Sequence, residues 1–153
     1  MPWRTYNVNN NNMLEYTTNQ KGLITEMKVM LFFVEQGYNV SQPLNADSKY
    51  DCIVDINNKL YRIQIKTAHM SSSTKNSIEI KCHSTTTTQN HRKQSGYTVN
   101  DIEYFATVWK NEVYLIPVNE CSSSKTLHLT DTIQRSNWSY LKDYKAKEVL
   151  KTL

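Results

Sequence analysis

Tyr50-Asp-Cys-Ile-Val-Asp-Ile-Asn-Asn-Lys-Leu-Tyr-Arg-Ile-Gln-Ile-Lys66 reads as two alternating strands folded about Asn57-Asn58. A two-residue turn fixes antiparallel register, so Ile56 pairs with Lys59, Val54 with Tyr61, Ile53 with Arg62 and Asp51 with Gln64. In the second strand Leu60, Arg62, Gln64 and Lys66 share one face. Tyr61, Ile63 and Ile65 share the other, which points to the core. Opposed side chains have Cβ atoms about 5 Å apart. A carboxylate, an amide oxygen and an ammonium are therefore expected together at one end of a stiff ribbon.

Working outward, Leu23, Met27, Met30, Leu31 and Val34 recur at the spacing of one apolar stripe, with Gly37 at the stop. This predicts a helix over roughly 20–36 that packs on the hairpin through its Leu23, Met27 and Met30 face. Tyr38 to Ser41 reads as a short strand closed by Pro43, and Leu44 to Lys49 as a polar loop. Residues 1–18, with the run Asn9 to Asn12, read as a flexible arm before a single domain over 19–153. Ile78, Ile80 and Cys82 alternate with polar residues, predicting a third strand that extends the same sheet and runs on into Thr85 to Thr88. Gln89 to Asn100 reads as a long loop or a short exposed helix. Tyr104 to Trp109 and Val113 to Val118 form a second hairpin about Asn111-Glu112, followed by a strand at Leu127 to Leu129 and a helix over about 137–150. The expected fold is a single α/β domain, a mixed central sheet flanked by helices.

Composition narrows the function. The 153 residues carry 18 Lys and Arg against 14 Asp and Glu, a net charge of +4 that is compatible with a nucleic-acid partner without demanding one. Cys52, Cys82 and Cys121 are odd in number and never paired as Cys-x-x-Cys, so neither a disulfide framework nor a structural zinc site is indicated. That usage suits a reducing compartment such as the cytoplasm. The longest apolar run, Met30 to Val34, is far short of a membrane span, and the beginning of the chain lacks the apolar core of a secretory signal. Three glycines make no phosphate-cradling loop, and His69, His83, His91 and His128 show no metal-ligand spacing.

The hairpin end carries the chemistry. A magnesium ion takes oxygen ligands in octahedral array and keeps several waters, so Asp51, the Gln64 side-chain oxygen and the Ile65 carbonyl form a partial cage. Lys66 supplies positive charge for a phosphorus centre that gains negative charge, or a base if its pKa is lowered. Glu26 sits at the edge of the helical stripe rather than on the solvated face and is placed to join them. The competing reading makes Asp51, Gln64 and Lys66 the wet face of an amphipathic hairpin. For DNA contact, Lys75, Lys81, His91, Arg92 and Lys93 form a basic stretch suited to phosphates, with Gln89, Asn90 and Arg92 able to read base edges. Lys142, Lys145, Lys147 and Lys151 near the C-terminus serve either DNA or solubility.

These residues resemble the PD-(D/E)XK nuclease superfamily, in its branch with glutamine at the third position. The likeness runs over roughly residues 20–120. It comprises Glu26, Gly37-Tyr-Asn-Val-Ser-Gln-Pro43, Ser48-Lys-Tyr-Asp51, Tyr61-Arg-Ile-Gln-Ile-Lys-Thr67, Asp101-Ile-Glu-Tyr-Phe105 and Val113-Tyr-Leu-Ile-Pro117. It is similar to small intron-encoded homing endonucleases and, more distantly, to archaeal-type Holliday junction resolvases. The resemblance implies a restriction-endonuclease-like core and Mg2+-dependent hydrolysis of double-stranded DNA by a homo-oligomer, a dimer or tetramer. It puts Glu26, Asp51, Gln64 and Lys66 in the catalytic positions. Gln64 departs from the commoner acidic residue; one negative charge fewer weakens metal binding and speaks against a two-metal mechanism. A structure-selective nuclease and a catalytically silent DNA-binding module are the alternative readings.

Overall fold

In a computed structural model, residues 15–129, 135 and 137–153 are described, and residues 1–14 of the expected N-terminal arm lie outside that range. Strands β1 (Asn39–Ser41), β2 (Cys52–Ile56), β3 (Lys59–Ile65), β8 (Tyr104–Trp109) and β9 (Glu112–Pro117) form a five-stranded sheet in the order β1-β2-β3-β8-β9. Every pairing is antiparallel except β3 with β8, so the central sheet is mixed, as the sequence predicts. Its hairpin register is the expected one from Ile56↔Lys59 to Ile53↔Arg62. The reason is local: Asn57 and Asn58 take φ of 53° and 63°, the left-handed pair that matches the twist of the flanking strands. Lys110 and Asn111 do the same between β8 and β9 at 47° and 64°. That turn lies one residue earlier than the expected Asn111-Glu112.

Helix α1 (Thr18–Glu35) opens with a reciprocal cap, in which Thr17 Oγ1 accepts the Gln20 N–H at 3.2 Å and Gln20 Oε1 accepts the Thr17 N–H at 2.8 Å. Its buried positions are Thr25, Val29 and Phe33. The expected stripe is therefore on the wrong side: Leu23, Met27, Leu31 and Val34 are 56–60% exposed, and of that set only Met30 is packed against the core. Both faces of the helix are apolar, and the spacing of the larger residues favoured the outer one. Val29 and Phe33, with Ala146 and Leu150 of the short helix α2 (Ala146–Leu150), cover Val54, Ile63, Ile65 and Leu115 on one face of the sheet. The closing helix is thus much shorter than the expected 137–150, being preceded by a 3-10 turn at Leu141–Tyr144.

The other face of the central sheet is covered by strands rather than by helices. Strands β4 (His69–Met70), β5 (Ser77–Lys81) and β10 (Ser124–His128) make a separate sheet in the order β10-β5-β4, and Ile78, Ile80 and Leu127 pack on Phe105, Tyr114 and Ile116. The expectation that 78–82 extends the central sheet is corrected here. Period-2 burial tells which face of a strand is wet but not which sheet it joins. The polar stretch forms neither a loop nor a helix. Instead β6 (His83–Thr88) and β7 (His91–Gly96) make a two-stranded ribbon turning at Gln89-Asn90. The strand expected to run into Thr85 to Thr88 is thus found as β6, whereas β7, without an apolar face, carried no strand signal.

Phe33 is fully buried on the inner face of α1. Phe33→Ala is expected to cost about 3–5 kcal/mol in urea denaturation. An unchanged midpoint would contradict the inner face assigned to the helix.

Candidate active site

The ends of β2 and β3 are locked together by a side chain. The Asp51 backbone N–H donates to the Ile63 carbonyl at 2.9 Å, although Ile63 is already the register partner of Cys52. Two consecutive residues therefore face one, the two-against-one pattern of a β-bulge. The ladder stops one pair short of the expected Asp51–Gln64 pairing. In exchange, Asp51 Oδ2 accepts the Ile65 N–H at 2.7 Å. Within a strand the N–H and C=O of one residue point to the same edge, so the Ile65 carbonyl points toward Asp51 as well. Past Ile65 the chain remains pinned, because the Lys66 N–H donates to the Ala106 carbonyl of β8 at 2.9 Å.

Alternation at the end of β3 then sorts the side chains. Ile63 and Ile65 enter the core, while half-buried Gln64 and Lys66 share the opposite face with Arg62. The Gln64 amide makes no hydrogen bond to a described residue. Lys66 Nζ donates to the His83 carbonyl at 3.2 Å and stands 5.4 Å from the centroid of the Tyr97 ring. Helix α1 brings Glu26 beside this group, and is pinned next to it by Thr25 Oγ1, which lies 3.5 Å from Thr67 Oγ1.

The electrostatics show which groups feel one another. Burial lifts the Glu26 carboxyl above its ordinary value, and the Asp51 charge lifts it further. Burial also lifts Asp51, and the bond from Ile65 and the charge of Lys66 only partly offset that. Lys66 is pulled down by burial, with Asp51 opposing the shift. Cys52, buried behind both carboxylates, is pushed up to about 12 by burial and by the charges of Asp51 and Glu26. Tyr97 is raised by burial and by Asp51. Glu26, Asp51, Lys66 and Tyr97 are thus one electrostatic cluster, with two carboxylates that repel each other at its centre.

Two partly buried carboxylates, close enough for the charge of Asp51 to raise the pKa of Glu26, are a place for a cation. Two carboxylates, an amide oxygen and a strand-edge carbonyl form a hard oxygen set, which fits a divalent ion such as Mg2+. Among the described residues no group of three or more His, Cys, Asp and Glu is placed to hold a metal, so acidic side chains do not complete the shell alone. Waters or substrate oxygens supply the remainder in such sites.

Sequence reasoning missed two features. Tyr97, a lone aromatic in a polar stretch, faces Lys66. The second is a clamp in which Arg62 binds Glu103 through Nη2 at 2.6 Å and Nε at 3.1 Å, while its backbone N–H donates to Glu103 Oε2 at 2.6 Å. Arg62 Nη1 and Nη2 also reach the carbonyls of Asn100 and Val99, fixing the loop that follows Tyr97. Burial pulls Glu103 up, but the bonds from Arg62 win and hold it below its usual value. Of the expected basic residues, Lys81 and Arg92 line a cleft of about 470 Å³ together with Lys66, His69, His83 and Thr85. Register puts His83, Thr85 and Arg92 on one face of the β6–β7 ribbon and His91 and Lys93 on the other. Lys75 is exposed in the turn between β4 and β5, away from the cleft lining.

Residues 16–147 match the model of the PD-(D/E)XK endonuclease family. No curated protein is significantly similar. Among solved structures, a bacterial homing endonuclease, I-Ssp6803I, superposes with a TM-score of 0.74 at 24% sequence identity, covering 90% of this chain and 95% of its own. That likeness establishes the fold. No helix among the described residues is long and apolar enough to cross a membrane.

The raised carboxylates make a stability prediction. A carboxyl raised in the folded state favours its proton there, so its contribution is fully present below the ordinary carboxylate range and is lost as pH rises through the raised value. Asp51→Asn keeps an oxygen for the Ile65 N–H and removes the repulsion. In chelator at pH 7 it is expected to melt roughly 1–4 °C above the parent, given the partial exposure of the site, with the difference shrinking as pH falls. Calorimetry that finds the variant less stable at pH 7 would contradict this.

Proposed function

The chain belongs to the PD-(D/E)XK endonuclease family, and from that premise we propose that it is a magnesium-dependent, sequence-specific endonuclease of the homing type that hydrolyses phosphodiester bonds in double-stranded DNA. The observation that carries this reading is the convergence of Glu26, Asp51 and Lys66, beside Gln64, at the edge of a cleft whose lining includes Lys66, Lys81 and Arg92. A structural surface hairpin has no need of a second, partly buried carboxylate near Asp51, which adds both burial cost and repulsion. Asp51, the Ile65 carbonyl and the Gln64 oxygen would hold the cation, with Glu26 completing the acidic side. When bound, it supplies Lewis-acid neutralisation of phosphate charge and a more acidic water.

The remaining steps belong to this chain. Lys66 is held by the His83 carbonyl and the Tyr97 ring, so its ammonium is placed rather than free to sweep the cleft. It stabilises the negative charge that grows on the phosphoryl oxygens during attack. Lys81 and Arg92 neutralise neighbouring phosphates and make binding salt-dependent. The β6–β7 ribbon has the dimensions of an element that the major groove admits, and its polar side chains suit base edges. Cutting both strands is simplest with two copies of one site, so the active species is a homo-oligomer, a dimer or tetramer.

Lys66→Ala is expected to lower Mg2+-dependent cleavage of plasmid DNA by about 10²–10³-fold. Affinity in gel shifts should stay within about 3-fold, because one of several phosphate contacts is lost. Sequencing the ends made from a DNA library should return a fixed site. Unchanged cleavage would eliminate this active site, and cutting confined to four-way junctions would replace the homing reading with a structure-selective one.

A further inference from the structure

Helix α1 is apolar on two sides. Thr25, Val29 and Phe33 face the core, while Leu23, Met27, Leu31 and Val34, each more than half exposed, cover the face roughly 150° away. No charged residue interrupts that outer face; the other positions on it are Gln20 and Ile24. A helix with two apolar faces can bury both only with two partners, and the core supplies one.

The outer face matches itself when reversed. Turned end for end, Leu23 falls opposite Val34 and Met27 opposite Leu31, so a second copy of the helix meets large apolar side chains at every level. The charges at its ends agree with that arrangement. Lys21 and Glu35 lie on one flank of the stripe, about 21 Å apart along the axis, too far to pair within one helix. Neither is in an ion pair among the described residues. Antiparallel packing keeps this flank of one copy beside the same flank of the other, bringing Lys21 of each copy to Glu35 of the other, and opposes the helix dipoles, whereas parallel packing puts the two flanks on opposite sides of the seam and forms neither pair. Lys28, on the same flank near the centre, is drawn off the seam to Asn111 Oδ1 of its own chain at 2.9 Å. Glu26 lies on the opposite flank, on the side of the cleft.

We propose that the outer face of α1 is the interface between two copies of this chain, packed antiparallel about a twofold axis at the level of Lys28 and Val29. The inference names the contact within the homo-oligomer proposed above and rests on that part of the reading, but not on nuclease activity.

The test is the mass of the full chain by sedimentation equilibrium, without DNA or metal. The parent should have the mass of two chains or a multiple of it. Met27→Glu with Leu31→Glu should fall to half that mass or less with an unchanged circular dichroism spectrum, since both side chains are already exposed. Lys21→Glu should weaken association by roughly 3- to 30-fold, because two symmetry-related pairs are lost. Adding Glu35→Lys should restore it. A monomeric parent, as when residues 1–14 cover this face, would overturn the proposal. So would a double glutamate variant of undiminished mass, or a charge swap without rescue. Because mass is read without cleavage, an inactive protein with its dimer intact would count against the nuclease reading alone.

Discussion

One hydrogen bond governs the geometry of the site: the Asp51 carboxylate accepts the Ile65 N–H. It ties the entry of β2 to the exit of β3 just where the ladder ends, and it decides the position of a charge that the bulge at Asp51 and Cys52 would otherwise leave loose. With Ile65 held from one side by Asp51, and the next residue held from the other by Ala106, the backbone of Gln64 to Lys66 has little freedom. Strand alternation does the rest, turning the isoleucines into the core and the amide and ammonium toward the cleft.

The same placement explains the unusual titration of the group. Partial burial raises both carboxylates and lowers Lys66, while the charge of Lys66 pulls Asp51 the other way. The balance falls on the side of burial, so each charge of the cluster is less favoured there than in water. A site that destabilises its own resting charge is one that gains when a cation and a phosphate arrive together. The Arg62–Glu103 clamp has a different role. It is a satisfied pair whose bonds to Asn100 and Val99 hold the loop beyond Tyr97, and through Tyr97 the face presented to Lys66.

Much of this was legible in the chain. The two-residue Asn turn left one register, and that register puts Asp51, Gln64 and Lys66 at one end of the hairpin. The mixed sheet followed from the order of elements. What misled was ambiguity of a physical kind. Leu23, Met27 and Leu31 outweigh Thr25 and Val29 in side-chain size, so the larger stripe drew the helix inside out. The threonine-rich ribbon carries no apolar period because its side chains are mostly exposed on both faces. Strand β5 showed its faces but not its neighbours. Tyr97 is distant in sequence from Lys66, and no local pattern reports such a contact.

The central claim is that the joined ends of β2 and β3 hold a divalent cation. Crystals soaked in Mn2+ and measured for anomalous scattering test it most directly. The account predicts one strong peak about 2.0–2.3 Å from an Asp51 carboxylate oxygen and from the Ile65 carbonyl, with Glu26 or Gln64 near it. A peak elsewhere on the chain, or none at this hairpin end with the ion in excess, would contradict it.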